Sequence, residues 1–338
     1  MKRTFRLFSV LVLAVSVLCL TSCGTQNSGA SKEDAAKTEA VKAAEKKDKL
    51  IIGATFGNIG DVFDRTLYDG MLRYVDENSD KVELQMLNAN GDTALQLSQA
   101  EQIMNAGVDA LIVWPVDAEG TTPIIEMANS KNIPVLCVNA KAAGGKFVYV
   151  GSDDVESGRI QGEWLAENLP ENATYCYFMG PIGHTAQIGR KQGIEEVLKE
   201  KRPDVKMLAE MSGEWDRAKA MSIADDWLKA YPDADAFVSQ NDNMALGIIE
   251  SLRTANKLDD IIVTGIDATS EACGSIKNGE LAMSVFQNAD AQGYNSVDVA
   301  YKMALGEWDG SDFTIPYEIV EPSNVDKYIA AYEAAEAK

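Results

Sequence analysis

The residues of this chain that could do chemistry are planar, two-armed polar groups placed just after apolar runs. Asp61 follows the run that ends at Phe56, Asn139 follows Ile133 to Val138, and His184 and Arg190 follow Tyr175 to Met179. Gln240, Asn241 and Asp242 follow Ala236 to Ser239, Asp267 follows Ile261 to Ile266, and Gln287 follows Ala282 to Phe286. Carboxylates, amides and a guanidinium with paired atoms can serve vicinal hydroxyls in a fixed geometry. Phe63 and Trp215 add rings on which the C–H face of a sugar can stack. That chemistry suits capture of a sugar. Asp61 taken alone reads as the N-cap of the helix that follows it. Trp114 reads as a rim or core ring with an equal claim to touching ligand.

Other chemistries fit less well. Gly57 to Phe63 lacks the GxGxxG spacing, and Asp61 would put negative charge where a pyrophosphate should sit. His184 is the only histidine, with no Cys or carboxylate at ligand spacing, so no metal site is expected. It also has no Ser or Cys motif to serve as a base. The expectation is a binding protein rather than an enzyme, without cofactor; an exported sugar-modifying enzyme is the alternative it displaces.

Positioning such groups calls for strands that end together. Leu50 to Phe56, Val82 to Leu87, Ala110 to Trp114 and Ile133 to Val138 read as strands, alternating with helical spacing over Asp61 to Glu77 and Thr93 to Asn105. Runs apolar along their whole length predict parallel sheet covered on both faces, an α/β lobe. The pattern restarts with Tyr175 to Met179, Val205 to Glu210, Ala236 to Ser239, Ile261 to Ile266 and Ala282 to Phe286, predicting a second α/β lobe. The tract Phe147 to Ser152 predicts strands that pass between lobes as a hinge. Parallel sheets bind ligand beyond the carboxyl ends of their strands, where the polar groups above fall.

At the start, Lys2, Arg3 and Arg6 precede an apolar run from Leu7 to Leu20 and the junction Leu20-Thr21-Ser22-Cys23. This predicts a secretory signal over 1–22, shorter than the ~20 apolar residues of a membrane span. Residues 23–49, rich in Ala, Lys, Glu and Ser, read as a flexible spacer. Without the three signal-peptide cations, the 31 Lys and Arg become 28 against 52 Asp and Glu, a formal charge of −24. Nucleic acid and anionic lipid are poor partners for it. Cys137, Cys176 and Cys273, an odd set in apolar runs, read as buried thiols.

The stretches Val148 to Gly162, Gln240 to Gly247 (QNDNMALG) and Val263 to Asp267 (VTGID) resemble the galactose/glucose-binding and ribose-binding proteins of bacterial sugar importers. The likeness runs from about Leu50 to Tyr328. LacI-type repressors share it but carry an N-terminal helix-turn-helix, where this chain has Leu20-Thr21-Ser22-Cys23, which resembles a bacterial lipobox. The resemblance implies an α/β type I periplasmic binding protein, two Rossmann-like parallel-sheet lobes joined by a three-strand hinge. The lobes would be 50–152 plus 288–316, and 153–287 plus 317–338.

It further implies that Asp61 holds a hydroxyl while Phe63 stacks, and that Asn139 reaches ligand from the same lobe. His184, Arg190, Asn241 and Asp267 would contact it from the other, Trp215 would stack on the opposite face, and Gln287 stands where the ribose type has Gln. Gly57, Ala140 and Ala186 replace an aromatic, a cation and a carboxylate of the galactose/glucose pattern, and Trp114 replaces a small polar residue. Pentoses, deoxy-sugars, polyols and inositols therefore remain open as ligands. The calcium loop of that type is missing at Leu169 to Ala173, so no structural calcium is expected. The implied partners are a monosaccharide, an ABC permease and, through lipidated Cys23, the outer face of the bacterial cell membrane. The chain would act as a monomer. A chemoreceptor or sensor kinase that reads the closed lobes is the alternative partner.

Overall fold

The computed structural model describes residues 49–336; the expected signal over 1–22, Cys23 and the expected spacer up to residue 48 lie outside it. The first part of the chain runs β1 (Leu50–Phe56), α1 (Val62–Glu77), β2 (Val82–Asn88), α2 (Thr93–Asn105), β3 (Ala110–Trp114), α3 (Ala118–Ser130), β4 (Val135–Val138) and β5 (Val148–Gly151). It continues with α4 (Asp154–Asn168), β6 (Thr174–Met179), α5 (Thr185–Lys201), β7 (Lys206–Ser212), α6 (Arg217–Ala230) and β8 (Ala236–Ser239). Next come α7 (Asp242–Thr254), β9 (Ile262–Thr264), α8 (Ser270–Lys277) and β10 (Ser284–Phe286). The last elements are α9 (Ala289–Leu305), β11 (Phe313–Thr314), β12 (Glu318–Val320) and α10 (Val325–Glu336).

Two parallel sheets result. The first has the order β11-β5-β4-β3-β1-β2, the second β7-β6-β8-β9, with β10 and β12 forming a short antiparallel ribbon. Single bridges, Thr264 to Met283 and Asp267 to Phe286, attach that ribbon beside β9. The inner strands β1, β3, β4, β6 and β8 are buried nearly throughout, as continuous apolar runs require. The edge strand β7 is mostly exposed and keeps polar Lys206, Glu210 and Ser212 among its residues. Cys137, Cys176 and Cys273 are buried free thiols, their pKa values pushed up to about 12 by burial.

The chain crosses between sheets three times: from β5 to α4, from β10 to α9, and from β11 to β12. The helix after each of the first two crossings packs backbone to backbone on a neighbour. A Cβ on Gly293 of α9 would lie 1.8 Å from Leu67 O of α1, and one on Gly158 of α4 would lie 2.2 Å from Arg190 O of α5. Glycine is required at these close approaches. The second contact fixes the backbone that carries Arg190.

Candidate functional site

Helix capping builds much of the site. Asp61, His184 and Asn241 are the N-caps of α1, α5 and α7, each a few residues beyond the carboxyl end of a strand. Asp61 Oδ1 accepts from Asp64 N at 2.9 Å, His184 Nδ1 from Ala186 N at 3.2 Å, and Asn241 Oδ1 from Met244 N at 3.0 Å. Asp61 is thus the N-cap that its position before a helix suggested. Each residue spends one polar atom on its helix and keeps another for the cleft.

All ten residues expected to touch ligand line one cavity of about 430 Å³ between the two sheets: Asp61, Phe63, Trp114, Asn139, His184, Arg190, Trp215, Asn241, Asp267 and Gln287. Trp114 is buried against Phe56 and Phe63 (centroids 5.3 and 6.3 Å) and also lines the cavity. Gly57 lines the cavity as well, and a side chain there would meet Pro115 O at 3.0 Å. Gln240 and Asp242 do not line it. Gln240 braces the loops, accepting from Gly180 N at 2.7 Å and donating to Tyr177 Oη, while buried Asp242 accepts from Ser284 Oγ and Thr269 N.

Arg190 is the centre of the second wall. Its guanidinium donates to Gln240 O and, at 2.8 Å, to Gln287 Oε1, and lies 3.8 Å from Asp267 Oδ1 and 5.4 Å from the Trp215 ring centroid. Among the described residues its Nε is buried without a hydrogen-bond partner. Burial pushes the Asp267 carboxyl pKa up, and Arg190 opposes that rise. Loss of water, with Arg190 adding to it, lowers the His184 pKa to about 4, so the imidazole is neutral. With Nδ1 accepting, the ring proton is assigned to Nε2.

Backbone strain concentrates here. Asn139 (φ 64°), Glu214 (φ 55°), Trp215 (φ 61°) and Asp267 (φ 120°) all take positive φ and all line the cavity. Local contacts hold them. Asp267 N donates to Val285 O at 2.8 Å, and Asn243 Nδ2 donates to Trp215 O at 2.7 Å. Gly180 leaves room for the indole, because a Cβ there would fall 2.0 Å from Trp215 Cζ2. Asn139 Nδ2 donates to Gln292 Oε1 at 3.0 Å.

Sequence reasoning missed Asp64, Asn58, Glu214, Asp216 and Asn243 in the lining. Asp64 had a readable signal: it sits three residues after Asp61 as the return arm of a capping box. Burial, then the neighbouring Asp61 charge, raises its carboxyl pKa to about 7, and burial raises that of Asp61 too.

Two parallel α/β sheets crossed three times by the chain, with a polar cavity between their carboxyl ends, define the architecture of a two-lobed ligand-binding protein. The chain belongs to the periplasmic binding protein domain family, whose pattern matches residues 36–307. It is 34% identical to a putative rhizopine-binding protein of Rhizobium meliloti over 82% of this chain and 92% of that one. It is 32% identical to a xylitol-binding protein of Mycolicibacterium smegmatis, over 76% of this chain and 73% of the relative. A Bacillus halodurans ABC transporter solute-binding protein, solved with bound myo-inositol, superposes with a TM-score of 0.79 at 36% identity. That match covers 83% of this chain and 97% of the other.

Proposed function

We propose that this protein captures a monosaccharide or cyclic polyol of inositol size between its lobes and delivers it to an ABC permease. The observation that carries the reading is the cavity wall: two-armed polar groups and aromatic rings, drawn from the carboxyl ends of both sheets, around about 430 Å³. A solute with hydroxyls around its rim would bridge Asp61 and Asn139 on one side to Arg190, Asn241 and Asp267 on the other. Phe63 and Trp215 would take its C–H faces. Bridging favours the closed lobes by as much as ligand binds them better than the open ones. An unmatched hydroxyl would leave a buried polar group unpaired at about 1–3 kcal/mol, which gives selectivity without catalysis.

The relatives that bind polyols support inositols and xylitol-like compounds as the first ligands to try. The three crossings support lobes of 50–152 plus 288–316 and 153–287 plus 317–338 that swing about a hinge. Leu20-Thr21-Ser22-Cys23 supports tethering outside the bacterial cell membrane through a lipid on Cys23.

Thermal unfolding of the protein with a panel of pentoses, hexoses, deoxy-sugars, inositols and alditols tests the binding claim, since ligand that binds only the folded state raises the midpoint. A large rise for one or a few related compounds is expected. No rise across the panel rejects it.

A further inference from the structure

We propose that Tyr317, on the third crossing between the lobes, is a positioning residue for Arg190: its hydroxyl takes the Nε–H of the guanidinium and ties the aim of that group to the hinge strands. The inference rests on the polyol-binding reading and deepens it, by assigning what holds the central residue of the second wall.

The first and third crossings run side by side. β11 pairs with β5, Phe313 opposite Val150 and Thr314 opposite Gly151, and the pairing ends with Ile315 N donating to Gly151 O at 2.8 Å. The two strands then leave the first sheet, one through Ser152 and Asp153, the other through Pro316. They are joined again beyond the crossing, where Tyr317 Oη donates to Asp154 Oδ1 at 3.3 Å. Bending of the lobes falls between these two bonds, so Tyr317 and Asp154 travel with the second sheet.

Both crossings converge on Arg190. The first turn of α4 is seated on the α5 backbone beside it: a Cβ on Gly189 would fall 2.7 Å from Asp154 Cβ, and one on Gly193 would fall 2.1 Å from Val155 O. The guanidinium end is held by its neighbours. Nη1 donates to Gln240 O and Nη2 to Gln287 Oε1, and each of these nitrogens carries a second N–H for a ligand. Nε has a single N–H on a side chain only 4% exposed, and among the described residues nothing accepts it. The Tyr317 hydroxyl, itself buried, faces this guanidinium and interacts with it.

Asp154 sets the direction of the hydroxyl proton. Burial raises that carboxyl pKa to about 6, while Arg190 and then Tyr317 hold it down, so above neutrality it is a carboxylate that accepts and cannot donate. Tyr317 gives its proton to Asp154 and keeps its oxygen lone pairs, the acceptor that Nε lacks. A buried N–H left unpaired is costly, and a small turn of the Tyr317 ring pairs it. Charge at both ends strengthens the chain from Asp154 through Tyr317 to Arg190.

Tyr317→Phe keeps the ring and removes only the oxygen. The protein and this variant are compared by calorimetric titration with myo-inositol, xylitol, D-ribose and D-glucose, and by hydrogen exchange of the Arg190 Nε–H, read by NMR without ligand. The variant should bind the tightest of these probes about tenfold more weakly, on the order of one hydrogen bond to a charged group, and its Nε–H should exchange roughly tenfold faster. Asp154→Ala frees the hydroxyl proton to turn toward Nε and should reproduce both changes. The double variant should be no weaker than either single one, because the two residues act through one chain. Parent-like exchange in Tyr317→Phe, or parent-like affinity for a probe that binds, overturns the proposal, since a ring that merely packs is intact there. Losses that add in full in the double variant overturn it as well. If none of the probes binds the parent protein, the polyol reading falls, and the exchange rates alone decide whether Tyr317 holds Arg190.

Discussion

Asn139 Nδ2 donates to Gln292 Oε1 at 3.0 Å, joining a cavity residue of the first sheet to α9, which begins just after the second crossing between lobes. Gln292 Nε2 in turn donates to Ser152 Oγ at 3.2 Å, at the first crossing, and Tyr149 Oη bonds both Asn139 O and Ser152 O. The side chain that would meet ligand and the hinge that would close over it share one buried network. Gln292→Ala should leave the Asn139 amide unpaired and free to turn. We expect about 1–3 kcal/mol lower stability in denaturant and weaker ligand binding by calorimetry. Unchanged values in both would remove Gln292 from the mechanism.

Arg190→Ala should be more severe. It strips the buried Asp267 of its cation and leaves Gln240 O and Gln287 without their donor, a loss of roughly 3–5 kcal/mol for a broken buried pair. Arg190→Lys should recover little, because one ammonium cannot reproduce the fork. Chemical unfolding of the two variants beside the parent protein decides this; near-parent stability of the Lys variant would contradict it.

Gly180→Ala isolates the aromatic wall. The new methyl would occupy the space of Trp215 Cζ2, so the ring must swing from the cavity while its own residue is unchanged. Ligand affinity should fall about tenfold, on the order of the 1.4 kcal/mol a displaced stacking ring represents. A ligand-dependent change in tryptophan fluorescence should fall with it. Parent-like affinity would show that the indole does not stack on ligand.

Stability should decline as pH rises through neutrality. Asp242 and Asp154 are buried, and burial raises their carboxyl pKa values to about 7 and about 6. The folded state therefore holds protons that the unfolded chain has released above about pH 4. That contribution is full below about 4 and is lost as pH passes through 6 to 7, on the order of a few kcal/mol. Melting temperature measured from pH 4.5 to 8 should fall with rising pH, and Asp242→Asn should flatten the upper part of the curve. A parallel curve for the variant would assign the slope to overall acidity instead.

Much of this was legible in the chain because inner strands of a parallel sheet are apolar over their full length. β1, β3 and β8 begin and end where their apolar runs do. β4 starts two residues later than its run, with Pro134 in front of it, and β9 stops at Thr264 before the strained turn at Asp267. β11 and β12 gave no signal, since two and three residues make no pattern and form strands only by pairing with distant partners, Val150 and Ser284 among them.

The sequence by itself determined which polar and aromatic residues follow the strands, and so ten of the residues that line the cavity, because side-chain type and strand position are local properties; Asp64, Asn58, Glu214, Asp216 and Asn243 escaped it. The caps made by Asp61, His184 and Asn241 are local too, each reaching two or three residues along the chain. Only the tertiary structure decided that Asn139 Nδ2 donates to Gln292 and that Gln287 Oε1 accepts from Arg190, because those partners lie 153 and 97 residues away and a hydrogen bond is set by where both groups lie in space.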